Sequence, residues 1–145
     1  PPLPGPWVLG LGAETASHAA YAWSLYRRGA RNDALGWGLR VAAWGAGVAA
    51  TRTQPTAAAV AVGGAAVLTT SAMAGDPALR TDAGKGMSHG ANLLVAAEGL
   101  TALRAALAQH YRGKRKQGAR LLCAAEAGAL AVGHLLLIDG LCRTR

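Results

Sequence analysis

Apolar and polar positions follow one another along this chain in long blocks. Short links that contain Gly, Pro or charged residues separate five apolar blocks, which lie at about 7–26, 34–51, 56–74, 88–108 and 119–141. No block alternates apolar and polar side chains with the period of two that a half-buried strand requires. The pattern therefore predicts an all-α chain with one helix in each block. Because the links are short, neighbouring helices should run antiparallel, as in an up-and-down bundle.

The length and polarity of each block indicate whether it crosses a membrane. The block from Thr56 to Ala74 has no charged residue over nearly the roughly 20 residues that cross a bilayer. The last block is equally apolar because of the Leu and Ile run at 135–138. The block that carries Glu98 and Arg104 is the one most suited to lie along the membrane surface. We therefore expect a small polytopic transmembrane helical bundle with four to five helices.

Small residues change the expected packing of these helices. The 145-residue chain is 52% hydrophobic and has 20 Gly but no Phe. Small side chains let helices approach closely in lipid. They recur at the four-residue spacing of close helix contacts at Ala57, Ala61 and Ala65, and again at Ala43 and Gly47.

The length of 145 residues predicts a single helical membrane domain over 1–145. Within it, the Pro-rich residues 1–6 form a stiff lead-in.

The basic residues of the chain lie mainly in its links. Only 15% of residues are charged, and their net charge is +8. Basic links are typical of the flanks of membrane spans, so we expect no nucleic-acid partner. If all five blocks cross, however, the two most basic links lie on opposite sides of the membrane, whereas basic links are expected on one side. Four and five spans therefore both stay open. We expect the link before the last block to contact anionic lipids through Arg112, Lys114, Arg115 and Lys116.

Two pairs of ionisable residues within apolar blocks are the candidate site. Glu14 and His18 stand four residues apart and share a helix face, and Glu126 and His134 lie eight apart on roughly one side of another helix. If those helices pack together, the four side chains make a metal set suited to iron, and His18 and His134 alone suit haem. The spacing lacks the Glu-x-x-His pairs of di-iron bundles, and contacts within the bundle explain the same residues. We expect no cofactor, with haem or iron as the alternative.

A further polar position lies among aromatic residues. Trp37, Arg40 and Trp44 stand at i, i+3 and i+7, so we expect the guanidinium to lie between two indole rings. Such a group is typical of a contact with lipid or with a partner subunit. The sequence contains no nucleophile motif, zinc signature or phosphate loop, and we therefore expect no enzyme activity.

Polar residues near the ends of three predicted helices follow a recognisable order: Arg31, Asp33, the Ala-Leu-Gly of 34–36, Asp76 and His89. In this order the stretch 30–107 resembles the small four-helix DoxX-like membrane proteins. The last apolar block has no counterpart in that pattern. The resemblance therefore transfers neither sites nor a function to this chain.

Two functions remain open from the sequence. The first is a non-catalytic accessory or structural subunit of a larger membrane complex, for example in a respiratory or photosynthetic membrane, with other membrane subunits and anionic lipids as partners. The alternative is a small membrane redox protein that binds haem or iron through His and Glu within the membrane. Either function belongs in a bacterial cytoplasmic membrane or an organellar inner membrane.

Overall fold

The chain folds into five α-helices in a computed structural model that describes residues 5–31, 34–53, 57–110 and 116–144. The helices in chain order are α1 (Gly5–Arg27), α2 (Ala34–Thr51), α3 (Ala57–Ala74), α4 (Met87–His110) and α5 (Lys116–Arg143). Those residues contain no strand, so the predicted all-helical fold is confirmed, with one helix in each apolar block. α1 begins inside the predicted lead-in, whose residues 1–4 lie outside the described part.

Two links are held together by one carboxylate. α1 ends near Gly29, whose φ of +99° is a left-handed conformation that favours glycine. Asp76 follows α3 and begins a short 3₁₀ turn over Pro77–Leu79. Its Oδ1 accepts a hydrogen bond from the backbone N of Ala78 at 2.8 Å, and its Oδ2 accepts one from the backbone N of Arg31 at 2.6 Å. Asp76 therefore fixes the α1–α2 link against the α3–α4 link.

The bundle has two different ends. The α1–α2 link, the α3–α4 link and the end of α5 lie at one end, where Arg28 Nε donates to Thr144 Oγ1 at 3.0 Å and Arg28 Nη2 to the carbonyl O of Leu141 at 2.8 Å. We call this the closed end, because the buried apolar cluster that includes Leu25 and Met87 lies toward it. We call the other the open end.

α3 contacts α1, α2 and α4, and α5 packs along α4. α4 is thus packed within the bundle.

α4 and α5 approach closely through two facing glycines. A Cβ atom added at Gly90 would lie 2.6 Å from the carbonyl O of Gly133, and one added at Gly133 would lie 2.9 Å from the carbonyl O of Gly90. Both distances are shorter than real Cβ atoms show. The contact lies toward the closed end. In the half toward the open end, the same two helices line a cavity.

We expect Gly90→Ala to destabilise the protein, because the new methyl group meets backbone atoms of α5 and cannot be accommodated without a shift of that helix. Overpacking of this kind costs about 1–3 kcal/mol. Gly99→Ala is the matched control on the same helix, since a Cβ there has no atom within 4 Å. Thermal unfolding followed by circular dichroism in one mild detergent compares the two variants. Equal midpoints would contradict the close contact.

Two helices are long and apolar enough to cross a membrane, over Ala57–Ala74 and Gly118–Arg143. They belong to the two blocks that the sequence favours as spans. Half of the α3 stretch is buried, so its length and composition are equally typical of a core helix. Only 11% of the α5 stretch is buried. α5 therefore presents an apolar surface outward, formed by the exposed side chains of Leu121, Val132, Leu135 and Ile138.

Candidate functional site

A cavity of about 900 Å³ lies between α1, α3, α4 and α5, in the half of the bundle toward the open end. Apolar side chains such as Leu11, Val60 and Leu130 form much of its wall. Six ionisable side chains from three helices also line it: Glu14, His18, Glu98, Arg104, Glu126 and His134. This size, together with a few polar groups in an apolar wall, is typical of a small-molecule site.

The four residues that the sequence predicts to lie together do line one cavity. Glu14 and His18 reach it from α1, and Glu126 and His134 from α5. The centroids of the two imidazole rings are 6.1 Å apart. Within the described ranges, no three His, Cys, Asp or Glu side chains are arranged to hold a metal ion. The role of these residues as haem or iron ligands stays a prediction.

Each of the two histidines is held through its Nδ1 atom. Nδ1 of His18, which is 2% exposed, lies 3.0 Å from the Thr70 hydroxyl. That hydroxyl lies 3.2 and 3.4 Å from the carbonyl oxygens of Ala66 and His18. The hydroxyl has one hydrogen, which goes either to a carbonyl oxygen or to His18 Nδ1, and the tautomer of His18 follows from that choice. Nδ1 of His134 lies 3.1 Å from the Tyr21 hydroxyl. Neither Nε2 has a partner among the described residues.

Glu98 adds a third carboxyl group to the cavity. It lines the cavity together with Glu14 of α1. Glu14 lies over Gly63 of α3, where an added Cβ would be 3.5 Å from Glu14 Oε2. In the part of the chain that the structure describes, neither Glu14 nor Glu98 forms an ion pair with a basic side chain.

Arg104 neutralises the remaining carboxylate of the cavity. Its Nη2 lies 3.1 Å from Glu126 Oε2. The Thr101 hydroxyl donates to Glu126 Oε1 at 2.9 Å, and Arg104 Nη1 donates to Cys123 Sγ at 2.9 Å. The side chain of Glu126 is 17% exposed and that of Arg104 is 39% exposed. This ion pair joins α4 to α5 in the half of the bundle where the two helices line the cavity.

The sequence placed Glu98 and Arg104 on a helix suited to the membrane surface, whereas the structure turns both side chains into the cavity. The spacing of residues along this helix could have indicated that these side chains face the interior. Glu98, Thr101 and Ala105 stand at i, i+3 and i+7 and so share one face of an otherwise apolar block. A polar face on such a block indicates an interior site as readily as a surface one.

The predicted cluster on α2 has a different geometry. The guanidinium of Arg40 does not lie between the rings of Trp37 and Trp44. Its Nε donates to Ser71 Oγ at 2.9 Å, and its Nη2 to Asn92 Oδ1 at 3.3 Å. Trp44 Nε1 donates to a backbone carbonyl of α3 at 3.0 Å. Arg40 and Trp44 therefore tie α2 to its neighbours, and their role in lipid or partner contact stays a prediction.

Groups suited to a membrane surface occur on the described part at the closed end. Trp23 and Tyr26 are exposed and stacked, with ring centroids 6.1 Å apart, and the Arg31 guanidinium lies 4.6 Å from the Tyr26 ring centroid. Aromatic rings and basic groups of this kind are enriched at membrane interfaces. The residues predicted to contact anionic lipid have no described side chains: Arg112, Lys114, Arg115 and Lys116.

The chain matches no protein-family model, no curated protein and no solved structure. The resemblance of 30–107 to DoxX-like proteins therefore gains no support from a family model.

Proposed function

We propose that this chain is a small integral membrane protein that binds an organic ligand in the cavity between α1, α3, α4 and α5, and that it acts by binding rather than by catalysis. The convergence of six ionisable side chains on one cavity within an apolar bundle carries the proposal. Such groups are costly away from water, and where they persist they mark functional sites. A bundle that needed only to be stable would fill this space with apolar side chains.

The helix lengths and the outer surface support placement in a membrane. The five helices have 23, 18, 18, 24 and 28 residues. At about 1.5 Å per residue, even the shortest approaches the roughly 30 Å of a bilayer core. The apolar outer face of α5 is what lipid would cover. These observations favour five spans over four, with α4 crossing as part of the bundle.

A different surface favours the accessory-subunit function as a second candidate. Gly38, Ala42, Gly45 and Ala49 are all exposed on α2 and stand at i, i+4, i+7 and i+11. They form one small-residue face, and no atom lies within 4 Å of a Cβ added at Gly38 or Gly45. Faces of this kind let a second transmembrane helix approach closely. Subunit contact through α2 and ligand binding in the cavity are compatible with each other.

Native mass spectrometry of the protein purified in mild detergent tests the proposal. We expect the mass of the chain plus a small organic molecule that denaturation releases. An absorption spectrum and metal analysis of the same sample test the alternative of haem or iron, which the two unpartnered Nε2 atoms favour. A native gel shows whether the chain migrates with other subunits. A chain that carries no small molecule and stays monodisperse without detergent would contradict both the ligand binding and the membrane placement.

A further inference from the structure

We infer that a groove between α2 and α4 binds one anionic phospholipid, with the lipid phosphate on Arg40 and one acyl chain along the small residues of the groove. This site is separate from the large cavity, and the inference rests on the membrane placement in the proposed function. Three features carry it: a guanidinium without a carboxylate partner, the level of that guanidinium in the bundle, and a narrow apolar groove that begins beside it.

The positive charge of Arg40 has no described counter-charge. Its Nε donates to Ser71 Oγ, its Nη1 to the carbonyl O of Gly36 and its Nη2 to Asn92 Oδ1. All three acceptors are uncharged, and within the described ranges Arg40 forms no ion pair with a carboxylate. A guanidinium has five N–H groups, so beyond these contacts it can still donate to a further acceptor. A phosphate group supplies the missing negative charge together with oxygens that suit a guanidinium.

The guanidinium lies at the level expected for the membrane surface. Arg40 stands six residues into α2, about 9 Å from the start of that helix. Its side chain points back toward the closed end, because a Cβ added at Gly75, the residue after α3, would lie 3.2 Å from Arg40 Nη2. Trp23 and Tyr26, which are exposed at the same end, are side chains that membrane interfaces favour. Arg40 therefore reaches the level at which lipid phosphates lie.

A narrow groove begins at Arg40 and runs toward the open end. Its volume is about 110 Å³, α3 forms its floor, and its walls include Ala43 and Gly47 of α2 and Gly99 and Ala102 of α4. No atom lies within 4 Å of a Cβ added at Gly99, so the space beside it is free. In a membrane, the groove would lead from the phosphate level toward the bilayer centre. This is the direction that an acyl chain takes.

The size of the groove favours an acyl chain over a second helix. An α-helix is about 10–12 Å in diameter and cannot enter a hollow of about 110 Å³, whereas a single chain of methylene groups can. A helix that covered Arg40 would also have to bring an acidic side chain, but a phospholipid carries its phosphate at the end of its chains. Basic groups between transmembrane helices are typical sites for lipid headgroups.

Glu98 is the acidic residue among the described residues that line the groove, and it also lines the large cavity. It stands six residues beyond Asn92 on α4, which is about 9 Å along the helix. Glu98 is therefore at the level of the acyl chain and does not compete with a phosphate for Arg40.

Three ligands separate the headgroup from the chains: dioleoylphosphatidylglycerol, dioleoylglycerol and glycerol 3-phosphate. Native mass spectrometry of the full chain in mild detergent, at increasing ligand concentration, gives the dissociation constant of the first molecule bound. We expect the phospholipid to bind at least about tenfold more tightly than dioleoylglycerol, because a charge-assisted hydrogen bond contributes at least this much. Glycerol 3-phosphate, which has no chains, should neither bind nor displace the phospholipid at the same concentrations.

Two variants test the two parts of the site. Arg40→Gln should lower the phospholipid affinity at least about tenfold and leave that of dioleoylglycerol unchanged. Gly99→Leu places its side chain in the free space of the groove and should lower the affinity for both lipids. Arg80→Gln is the matched control, because Arg80 is an exposed arginine at the same end and does not line the groove. It should change neither affinity. Thermal midpoints show that each variant is folded, and Gly99→Leu tests the groove even if Arg40→Gln is not.

The outcomes that overturn the inference differ from one another. Equal affinity for the two lipids, or a preference that survives Arg40→Gln, would overturn the headgroup contact. Unchanged binding in Gly99→Leu would overturn the groove as the place of the chain. Displacement of the phospholipid by glycerol 3-phosphate would identify a site for free phosphate, and a partner subunit lost from Gly99→Leu on a native gel would assign the groove to a helix. All four leave the ligand of the large cavity unaffected, whereas a protein that stays monodisperse without detergent would overturn the membrane placement as well.

Discussion

Ala105→Trp is expected to lower ligand affinity roughly tenfold to 100-fold, equivalent to about 1.4–2.8 kcal/mol. Ala105 lines the cavity from α4, one turn beyond Thr101 on the same face. An indole ring at this position would occupy part of the cavity where the proposed ligand binds. The ring should close the part of the cavity that lies toward the open end of the bundle. Ligand occupancy by native mass spectrometry measures the effect.

Ala96→Trp supplies the matched control on the same helix. Ala96 is exposed and does not line the cavity, so the same added ring points away from it. Ligand occupancy should then equal that of the unchanged protein. The thermal midpoint of each variant separates a blocked cavity from a damaged fold. Full occupancy in a stable Ala105→Trp variant would show that the cavity between α4 and α5 is not where the ligand binds.

The helices could be predicted because their signals are local. Long apolar blocks interrupted by Gly29 or by Asp76 and Pro77 leave few alternatives for where a helix begins and ends. The α2 bounds of 34–51 agree with the predicted block, and the other bounds differ by three residues or fewer. Which helix face turns inward depends instead on the neighbouring helices. The sequence therefore predicted α4 as a helix and did not place Glu98 in the interior.

The candidate site shows the same division between local and long-range information. Glu14 and His18 share a helix face through spacing alone, and so do Glu126 and His134, so each pair could be found from the sequence. The sequence could not predict that the two pairs meet across the cavity, because this depends on the packing of α1 and α5 against other helices. Helix spacing alone could not show that Thr70 would hold His18.

Arg40 and the close glycine contact show why the remaining features escaped prediction. Spacing placed Arg40 beside Trp37 and Trp44, but its partners on α3 and α4 lie 31 and 52 residues away in sequence. The contact between Gly90 and Gly133 had no distinguishing signal in a chain with 20 glycines. These two glycines matter because the backbones of α4 and α5 approach each other there, and that approach is a property of the packed bundle.

Arg104→Gln is expected to destabilise the protein by about 1–3 kcal/mol, because it leaves the mostly buried Glu126 carboxylate with the Thr101 hydroxyl as its remaining described partner. Arg104 is 39% exposed, so water offsets part of the loss and the effect stays below that of a fully buried pair. Chemical denaturation followed by circular dichroism measures the change. Arg143→Gln is the control: its pair with Asp139 is exposed, and such pairs contribute only about 0.2–1 kcal/mol.

The double variant Arg104→Gln/Glu126→Gln decides whether the ion pair or the packing of the long side chains is responsible. Two uncharged amides can hydrogen-bond to each other and leave no unpaired charge at this contact between α4 and α5. We therefore expect the double variant to be more stable than Arg104→Gln alone, with a coupling energy within the 0.5–3 kcal/mol that contacting residues show. Additive losses would mean that Glu126 is solvated without Arg104. The cavity would then be open to water at this point, and the Glu126 carboxylate would carry no cost there that marks a functional site.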